Sequence, residues 1–441
     1  MHFQRDYNRE MKILVTGAAG FIASAIVERL LKAGHDVVAC ARDGRNLPCS
    51  DRLRIHPVDL NHMLAAEDWQ ALLDGVGAVV NAAGILRETR RGDFERVHYR
   101  SPLALAHACV ELGIRRYVQI SALGEAADGE FVASKHRLDE ALLAMDGVDA
   151  VVLRPSVVVS LRGSYGGTSM LRAMAALPLL MVLPGDGGQK IQPVLLEDLA
   201  ALVVEALELD AARPQALDVV GPEVMSLSEF LLALRRWLKL PDPVLALHVP
   251  MTLVRWAGRA GDLVRAGPLG STMTRMLERG NVGNDPWASA AAQALSRPGS
   301  VSDCLAQSAS FVQDRWQARL YWLAPVAWAA LVLIWLLSGL SGLLGQTANF
   351  APMLDRMGIC PNWHASVVLA TSLLNTVLGL ALLIRVWIGP VLMLMWISVL
   401  AYTLGLGWLV PELWLEPTGG LVKNLGLLLL IPMVMVLENR R

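Results

Sequence analysis

The chain has few of the features that mark a metal or disulfide protein. Its five cysteines, Cys40, Cys49, Cys109, Cys304 and Cys360, form no C-x-x-C pair and sit in no His/Cys cluster at metal-ligand spacing. They read as scattered thiols of a reducing compartment, and no metal is expected. Only Cys360 falls in a loop that the orientation argued below puts outside the cytosol. No long basic run occurs and the formal net charge is −1, which excludes nucleic acid as the main partner. The opening residues, MHFQRDYNRE, lack the apolar core of a secretory signal. Residues 1–10 read as an extension, with the natural start at either Met1 or Met11, and the domain behind them is expected in the cytosol. The most informative scarcity is of charge: from Gln317 to Arg441 only ten residues are charged. The preceding three hundred have the composition of an ordinary soluble enzyme, so two environments are implied.

What fills the charge-poor part is a series of apolar runs. Leu320 to Leu344, His364 to Ile384 and Val386 to Val410 are each long enough to cross a bilayer. Leu421 to Leu437 is a weaker fourth span with Lys423 near its end. Trp322, Trp363, Trp387, Trp408 and Trp414 stand near span ends, where an aromatic belt belongs. Arg315, Arg319, Arg385, Arg440 and Arg441 lie on one side, and Asp355, Arg356, Glu412 and Glu416 on the other. The positive-inside rule then predicts four crossings of a bacterial-type inner membrane with both termini cytosolic. Asn375, mid-span, fits a hydrogen bond between packed helices, the ordinary use, or a polar group for a ligand such as a quinone headgroup.

The first half alternates strands and helices. Lys12 to Thr16, Asp36 to Ala41, Arg54 to Val58, Ala78 to Asn81, Arg116 to Ser121 and Ala150 to Leu153 read as buried strands. Phe21 to Ala33, Trp69 to Leu73, Pro102 to Leu112 and Ser134 to Met145 read as helical. This alternation predicts an α/β doubly wound Rossmann domain over residues 11–240. Its later part, about 155–240, is a Gly/Pro-rich substrate or lid region with helices at Ser169 to Ala176, Leu195 to Leu207 and Ser228 to Leu240. Residues 241–315 read as a mostly helical linker with a polar patch at Gly280 to Asp285, and 316–441 as the four-helix membrane domain.

Gly17-Ala-Ala-Gly20-Phe-Ile-Ala23 lies where the first strand turns into a helix. Gly17 permits the tight turn, Gly20 lets a pyrophosphate approach the backbone, and Ala23 allows close helix–strand packing. An acid at the tip of the second strand would hold the ribose 2′-hydroxyl of NAD. Here the tip is Ala41-Arg42, and Arg42 suits a 2′-phosphate, so NADP(H) is favoured over NAD(H); a plain surface arginine is the other reading. Asp59, after the third strand, suits the adenine amino group.

Val15-Thr-Gly-Ala-Ala-Gly-Phe-Ile22, Val58-Asp-Leu60, Asn81-Ala-Ala-Gly84, Ile120-Ser-Ala-Leu-Gly124, Lys135 and Leu153-Arg-Pro155 resemble the short-chain dehydrogenase/reductase superfamily. The likeness is to its atypical, epimerase/dehydratase-like branch, which includes the nucleotide-binding accessory subunit of respiratory complex I. Pro184-Gly-Asp-Gly-Gly188, Gln192-Pro193 and Glu197-Asp198 add to it, and it runs from about Met11 to Trp237. Trp335-Leu-Leu-Ser-Gly339 and the helix layout resemble DoxX-like domains. The resemblance implies that Thr16, Phe21, Ile22, Leu60, Ala82, Ala83, Gly84 and Lys135 join Gly17, Gly20, Arg42 and Asp59 around the nucleotide. It also implies roles for Ser121 in orienting a substrate carbonyl and for Lys135 in catalysis.

The family's proton transfer uses Tyr-x-x-x-Lys on one helix face. Lys135 matches the lysine, but Phe131 stands where the tyrosine belongs, and no other lysine has tyrosine at that spacing. Three readings stay open. Lys135 acts as the acid with Ser121; Tyr165 of the flexible loop swings in; or nucleotide binds without turnover. The function expected is a membrane-anchored nucleotide-binding scaffold or redox sensor for a membrane partner. The alternative is an NADPH-dependent oxidoreductase on a lipophilic substrate such as a quinone or its precursor. The partners implied are the lipid bilayer, a membrane redox or respiratory partner, or a lipophilic small molecule.

Overall fold

Short apolar runs bounded by turn residues favour strands buried on both faces. In the computed structural model they form one seven-stranded sheet. β1 (Lys12–Thr16), β2 (Asp36–Ala41), β3 (Leu53–Pro57), β4 (Ala78–Asn81), β5 (Arg116–Ile120), β6 (Asp149–Pro155) and β7 (Gln215–Val219) lie in the order β7-β6-β5-β4-β1-β2-β3, all parallel. The structure describes residues 10–208, 214–264, 270–284, 292–415 and 420–438. Residues 1–9 of the extension, Asp285, Glu416, Arg440 and Arg441 lie outside the described residues.

Alternation along β1 feeds two cores. Ile13 and Val15 pack with Ile26 and Leu30 of α1 (Phe21–Lys32). Leu14 packs on the opposite face with Leu105 of α2 (Ser101–Glu111) and Leu138 of α3 (Glu130–Leu143). The first core also takes Leu199 and Val203 of α4 (Leu196–Glu208). The strand order reverses between β1 and β4, so their carboxyl ends frame the crevice where doubly wound sheets bind ligands.

The structure departs from the sequence reading in four places. β7 was not anticipated: Gln-Ala-Leu-Asp-Val has one β-branched residue and lies on the sheet edge, paired among the described residues only with β6. A helical segment precedes Pro102, because Glu95–Arg100 form a π-helical stretch running directly into α2. Proline's missing N–H is tolerated there, in the first turn of the α-helix. α3 starts at Glu130 rather than Ser134. Residues 241–315, expected as a mostly helical linker, carry the helices Met251–Val264, Ser271–Arg279 and Val301–Gln307 and add an unexpected strand, Leu245–Val249, parallel to Leu180–Pro184. Val301 and Leu305 of that segment pack with Phe230 and Trp237 in a third core.

The chain divides into two compact units, Met1–Ala318 and Arg319–Arg441. α5 (Val312–Leu344), α6 (His364–Leu383) and α7 (Ile388–Leu409) are long and apolar enough to cross a membrane. α8 (Val422–Glu438) is shorter, at 17 residues, and carries Pro432. Leu331, Trp335, Leu382, Leu392, Met395 and Ile431 form the core of this bundle. Gly339 and Gly342 let α5 approach α6 closely: a β-carbon on either would collide with Thr376 or Ser372. Asn375 makes no hydrogen bond to another helix among the described residues, unlike the ordinary use expected of it.

Candidate functional site

The first turn after β1 is built around Gly17. Its φ is +64°, a region that L side chains avoid, and a β-carbon there would stand 2.7 Å from the Ala83 Cα. The turn from β1 and the turn from β4 therefore touch backbone to backbone. Gly20 is the N-cap of α1, with extended backbone and no side-chain cap. The first-turn N–H groups of Phe21, Ile22 and Ala23 have no intrahelical acceptors and can receive an anion.

Beneath this surface runs a buried ladder across three strand tips. The Thr16 hydroxyl donates to the Asn81 side-chain oxygen, and Asn81 Nδ2 donates to Gln119 Oε1 at 2.6 Å. Each side chain is about 1–2% exposed. The ladder satisfies polar groups that would otherwise be costly to bury and fixes how β1, β4 and β5 end.

Arg42 is exposed at the end of β2, and Asp59 follows β3. The backbone and side-chain N–H groups of Asn61 donate to Asp59 at 3.0 and 3.1 Å. Chiefly they, and more weakly the nearby Arg42, hold its carboxyl below the ordinary carboxylate value. Leu60 is half-buried beside it. Arg42 and Asp59 thus sit at the same end of the crevice, while Ala82, Ala83 and Gly84 line its centre.

Lys135 reaches that centre from α3. Its ammonium donates to the Ile120 carbonyl at 2.9 Å and lies 3.5 Å from the Ala83 carbonyl. Burial pushes its pKa down to about 8, and the nearby Asp139 opposes the shift. One turn earlier, Phe131 meets the His98 ring edge-on at 5.6 Å and the Phe94 ring at 6.4 Å. His98 Nε2 accepts from the Ile85 N–H at 3.0 Å, so its proton is on Nδ1, which donates to Ser134 Oγ at 2.9 Å. Burial, then the Lys135 charge, hold His98 well below its ordinary pKa, and the ring is neutral.

Ser121 is not poised toward a ligand. Its hydroxyl donates to Asp139 Oδ2 at 2.7 Å, and Arg154 Nε donates to the same oxygen at 2.9 Å. Tyr165 is half exposed and stacks on Phe21 with centroids 6.3 Å apart. The structure thus gathers Thr16, Gly17, Gly20, Phe21, Ala83, Gly84 and Lys135 at one crevice. It adds His98 and Gln119, which no motif marked, and gives Asn81, quoted only as part of a motif, a place in the ladder. The Asn81-Ala-Ala-Gly84 turn was the only hint of the ladder. Among the described residues no three His, Cys, Asp or Glu side chains gather as a metal site.

Comparison with known proteins gives the same two-part division. Residues 13–220 match the model of the NAD dependent epimerase/dehydratase family, and residues 332–432 that of the DoxX-like family. The Arabidopsis thaliana mitochondrial NADH dehydrogenase [ubiquinone] 1 alpha subcomplex subunit 9 is 28% identical over 249 residues, 52% of this chain and 60% of that protein. The chloroplastic divinyl chlorophyllide a 8-vinyl-reductase of Oryza sativa subsp. indica is 30% identical over 228 residues, 48% of this chain and 55% of that protein. The chain thus spans less than two thirds of either relative's length. A crystal structure of UDP-glucuronic acid 4-epimerase from Bacillus cereus, in complex with UDP-glucuronic acid and NAD, aligns with a TM-score of 0.51 at 20% identity. It covers 67% of this chain and 97% of that one, a likeness of fold.

Proposed function

From a chain that carries an NAD-dependent epimerase/dehydratase-family domain ahead of a DoxX-like domain, we infer a membrane-anchored nucleotide-binding scaffold or redox sensor. The dinucleotide lies across the β1/β4 crevice. Its pyrophosphate sits on the α1 N-terminus at Gly17, Gly20, Phe21 and Ile22, with the adenosine half toward Asp59 and Leu60. Arg42 faces a 2′-phosphate, which favours NADP(H) over NAD(H). Lys135, beside Ala83 and Gly84, holds the nicotinamide ribose.

The observation that carries the non-catalytic reading is Phe131 packed edge-on against His98. The helix turn that presents Lys135 offers an aromatic ring with no acidic hydroxyl. Loss of a general acid costs roughly 10²–10⁴-fold in rate. The Ser121 hydroxyl proton is committed to Asp139, which removes the second donor. The relative from mitochondria is by name a subunit of an NADH dehydrogenase [ubiquinone] subcomplex, and that supports a partner in a membrane redox assembly.

A second reading keeps support from Lys135 itself. A buried lysine with its pKa near 8 is a competent acid, and the chloroplast relative is by name a reductase. On this reading the chain is an NADPH-dependent oxidoreductase acting on a lipophilic substrate. One experiment separates the two. The purified full chain in detergent is titrated with NADPH, NADP⁺, NADH and NAD⁺ by thermal shift, and NADPH oxidation is followed with a panel of quinones and lipophilic carbonyl compounds. Binding stabilises the protein in proportion to ligand over its Kd. Stabilisation by NADPH without oxidation supports the scaffold; oxidation abolished by Lys135→Ala supports the reductase. No shift with any dinucleotide sinks both.

A further inference from the structure

The helix Met251–Val264 is fastened by its polar side and bare on its apolar one. A β-carbon on Gly258 would stand 2.7 Å from Thr274 Oγ1 of the helix Ser271–Arg279. Arg255 Nε donates to Glu278 Oε1 at 2.7 Å, and Arg87 Nη1 donates to the Gly261 carbonyl at 2.7 Å. Asp262 accepts from the Ser271 N–H at 3.1 Å. At about 100° per residue, Leu253, Trp256, Ala260 and Leu263 fall within about 80° of the circumference, opposite Gly258. All four are exposed, Leu253 at 58%, Trp256 at 67% and Leu263 at 86%. Arg259 borders the stripe, its guanidinium 5.7 Å from the Trp256 ring centroid. A surface helix of a water-soluble domain turns such a stripe toward the core; this one turns it out. Leu245 and Leu247, in the preceding strand, are exposed as well.

What covers the stripe follows from where the chain goes next. The strand Leu245–Val249 pairs with Leu180–Pro184, whose Met181 and Leu183 lie in the third core with Phe230 and Trp237. Ala318, in the early turns of α5, is buried in that same core. Arg172 Nη1 also lies 3.9 Å from Asp314 Oδ1 of α5. The uncharged run of α5 begins at Leu320, about 3 Å farther along the helix axis. The chain therefore leaves no slack between this part of the fold and its first apolar run. A Leu/Trp stripe bordered by arginine has the composition of a helix lying in a membrane interface, with the indole at the headgroup level and the guanidinium on lipid phosphate.

We propose that the helix Met251–Val264 docks on the bilayer, with Leu253, Trp256 and Leu263 in the interfacial layer and Arg259 on anionic headgroups. The inference rests on the membrane anchoring inferred above. A tethered domain meets its own bilayer at high effective concentration, so a short stripe suffices where a free helix would dissociate. The Arg87 bond to Gly261 ties the helix to the segment that follows Gly84. Docking thereby fixes how the nucleotide crevice stands relative to the lipid surface.

The test uses the purified full chain in nanodiscs of mixed phosphatidylcholine and phosphatidylglycerol, with and without bromine on the acyl chains near the headgroup. The emission of Trp256 is the difference between the parent and Trp256→Phe. That of Trp408, in α7, is the difference between the parent and Trp408→Phe. Bromolipid should quench both. Leu253→Glu places an acid in the first turn of its helix, where the dipole favours it, so the fold is kept, as circular dichroism checks. It should remove most of the quenching of Trp256 and leave that of Trp408 unchanged. Quenching of Trp256 should be stronger in the mixed discs than in phosphatidylcholine alone, and equal quenching in the two overturns the role of Arg259. Quenching of Trp408 with none of Trp256 overturns the docking and leaves the anchoring standing; quenching of neither overturns both. Trp256 emission that moves to the blue as protein concentration rises, without quenching by bromolipid, puts a second copy on the stripe and also overturns the proposal.

Discussion

Replacing Gly17 by alanine is the sharpest test of how the crevice is built. Two costs follow from the geometry. The backbone has φ +64°, and the left-handed conformation costs an L-residue about 1 kcal/mol or more. The new β-carbon would also stand 2.7 Å from the Ala83 Cα, and that atom is backbone, which cannot rotate away. Relieving such an overlap in a packed region costs roughly 1–3 kcal/mol. The sum is about 2–4 kcal/mol. For a domain of this size it lowers the melting temperature by roughly 5–15 °C. Gly77→Ala is the matched control, since a β-carbon there meets nothing within 4 Å. The assay is thermal unfolding of the two variants and the parent, each with and without NADPH. Gly17→Ala should melt lower than Gly77→Ala and lose the NADPH-dependent rise, because the shifted turn no longer presents the α1 N–H groups. A Gly17→Ala protein melting within a degree or two of the control would refute the claimed contact between the β1 and β4 turns.

Further outcomes follow from other side chains. Lys135 has a folded-state pKa of about 8 against roughly 10.4 unfolded, so burying its charge costs on the order of 3 kcal/mol below pH 8. Between those values only the unfolded state holds the proton, so stability should rise with pH across that window. Lys135→Met should flatten the rise in melting temperature measured from pH 7 to pH 10.5. Arg42→Ala should weaken NADPH binding about tenfold by removing a charge-assisted contact and leave NADH unchanged, measured by calorimetry. Equal losses for both nucleotides would remove Arg42 from the 2′-phosphate. Gly342→Val should force α5 from α6 at a cost of about 1–3 kcal/mol. Gly405→Ala, with open space around it, should not, as read by melting of the membrane unit in detergent.

The sheet and the glycine turn were legible because buried parallel strands write themselves as near-continuous apolar runs. β7 was not, since an edge strand paired on one side tolerates a weak sequence. The Phe131–Lys135 spacing could be read because both lie on one helix. The contacts that define their surroundings could not. Ser121 meets Asp139 and Arg154 only because β5, α3 and β6 come together in the fold. His98 meets Phe131 and Ser134 only because α3 packs beside the π-helical stretch. In the membrane unit the apolar spans were plain, while the close approach of α5 to α6 at Gly339 and Gly342 is a property of packing.

The π-helical stretch Glu95–Arg100 works as a phase shifter. An α-helix advances about 100° per residue, and a π turn inserts one residue without adding to the downstream helix. Side chains on either side of it are therefore indexed independently. Downstream, Leu105, Ala108 and Cys109 keep their places in the core beneath the sheet. Within the stretch, His98 is turned toward Ser134 and the backbone of Ile85. Deleting Tyr99 or Arg100 would close the stretch to ordinary α pitch and swing the residues before the deletion, His98 among them, by about 100°. His98 would leave the neighbourhood of Lys135 while the core register stayed as it is. The rim of the crevice can thus be re-aimed by a change of chain length alone, with no substitution in the sheet or in α3.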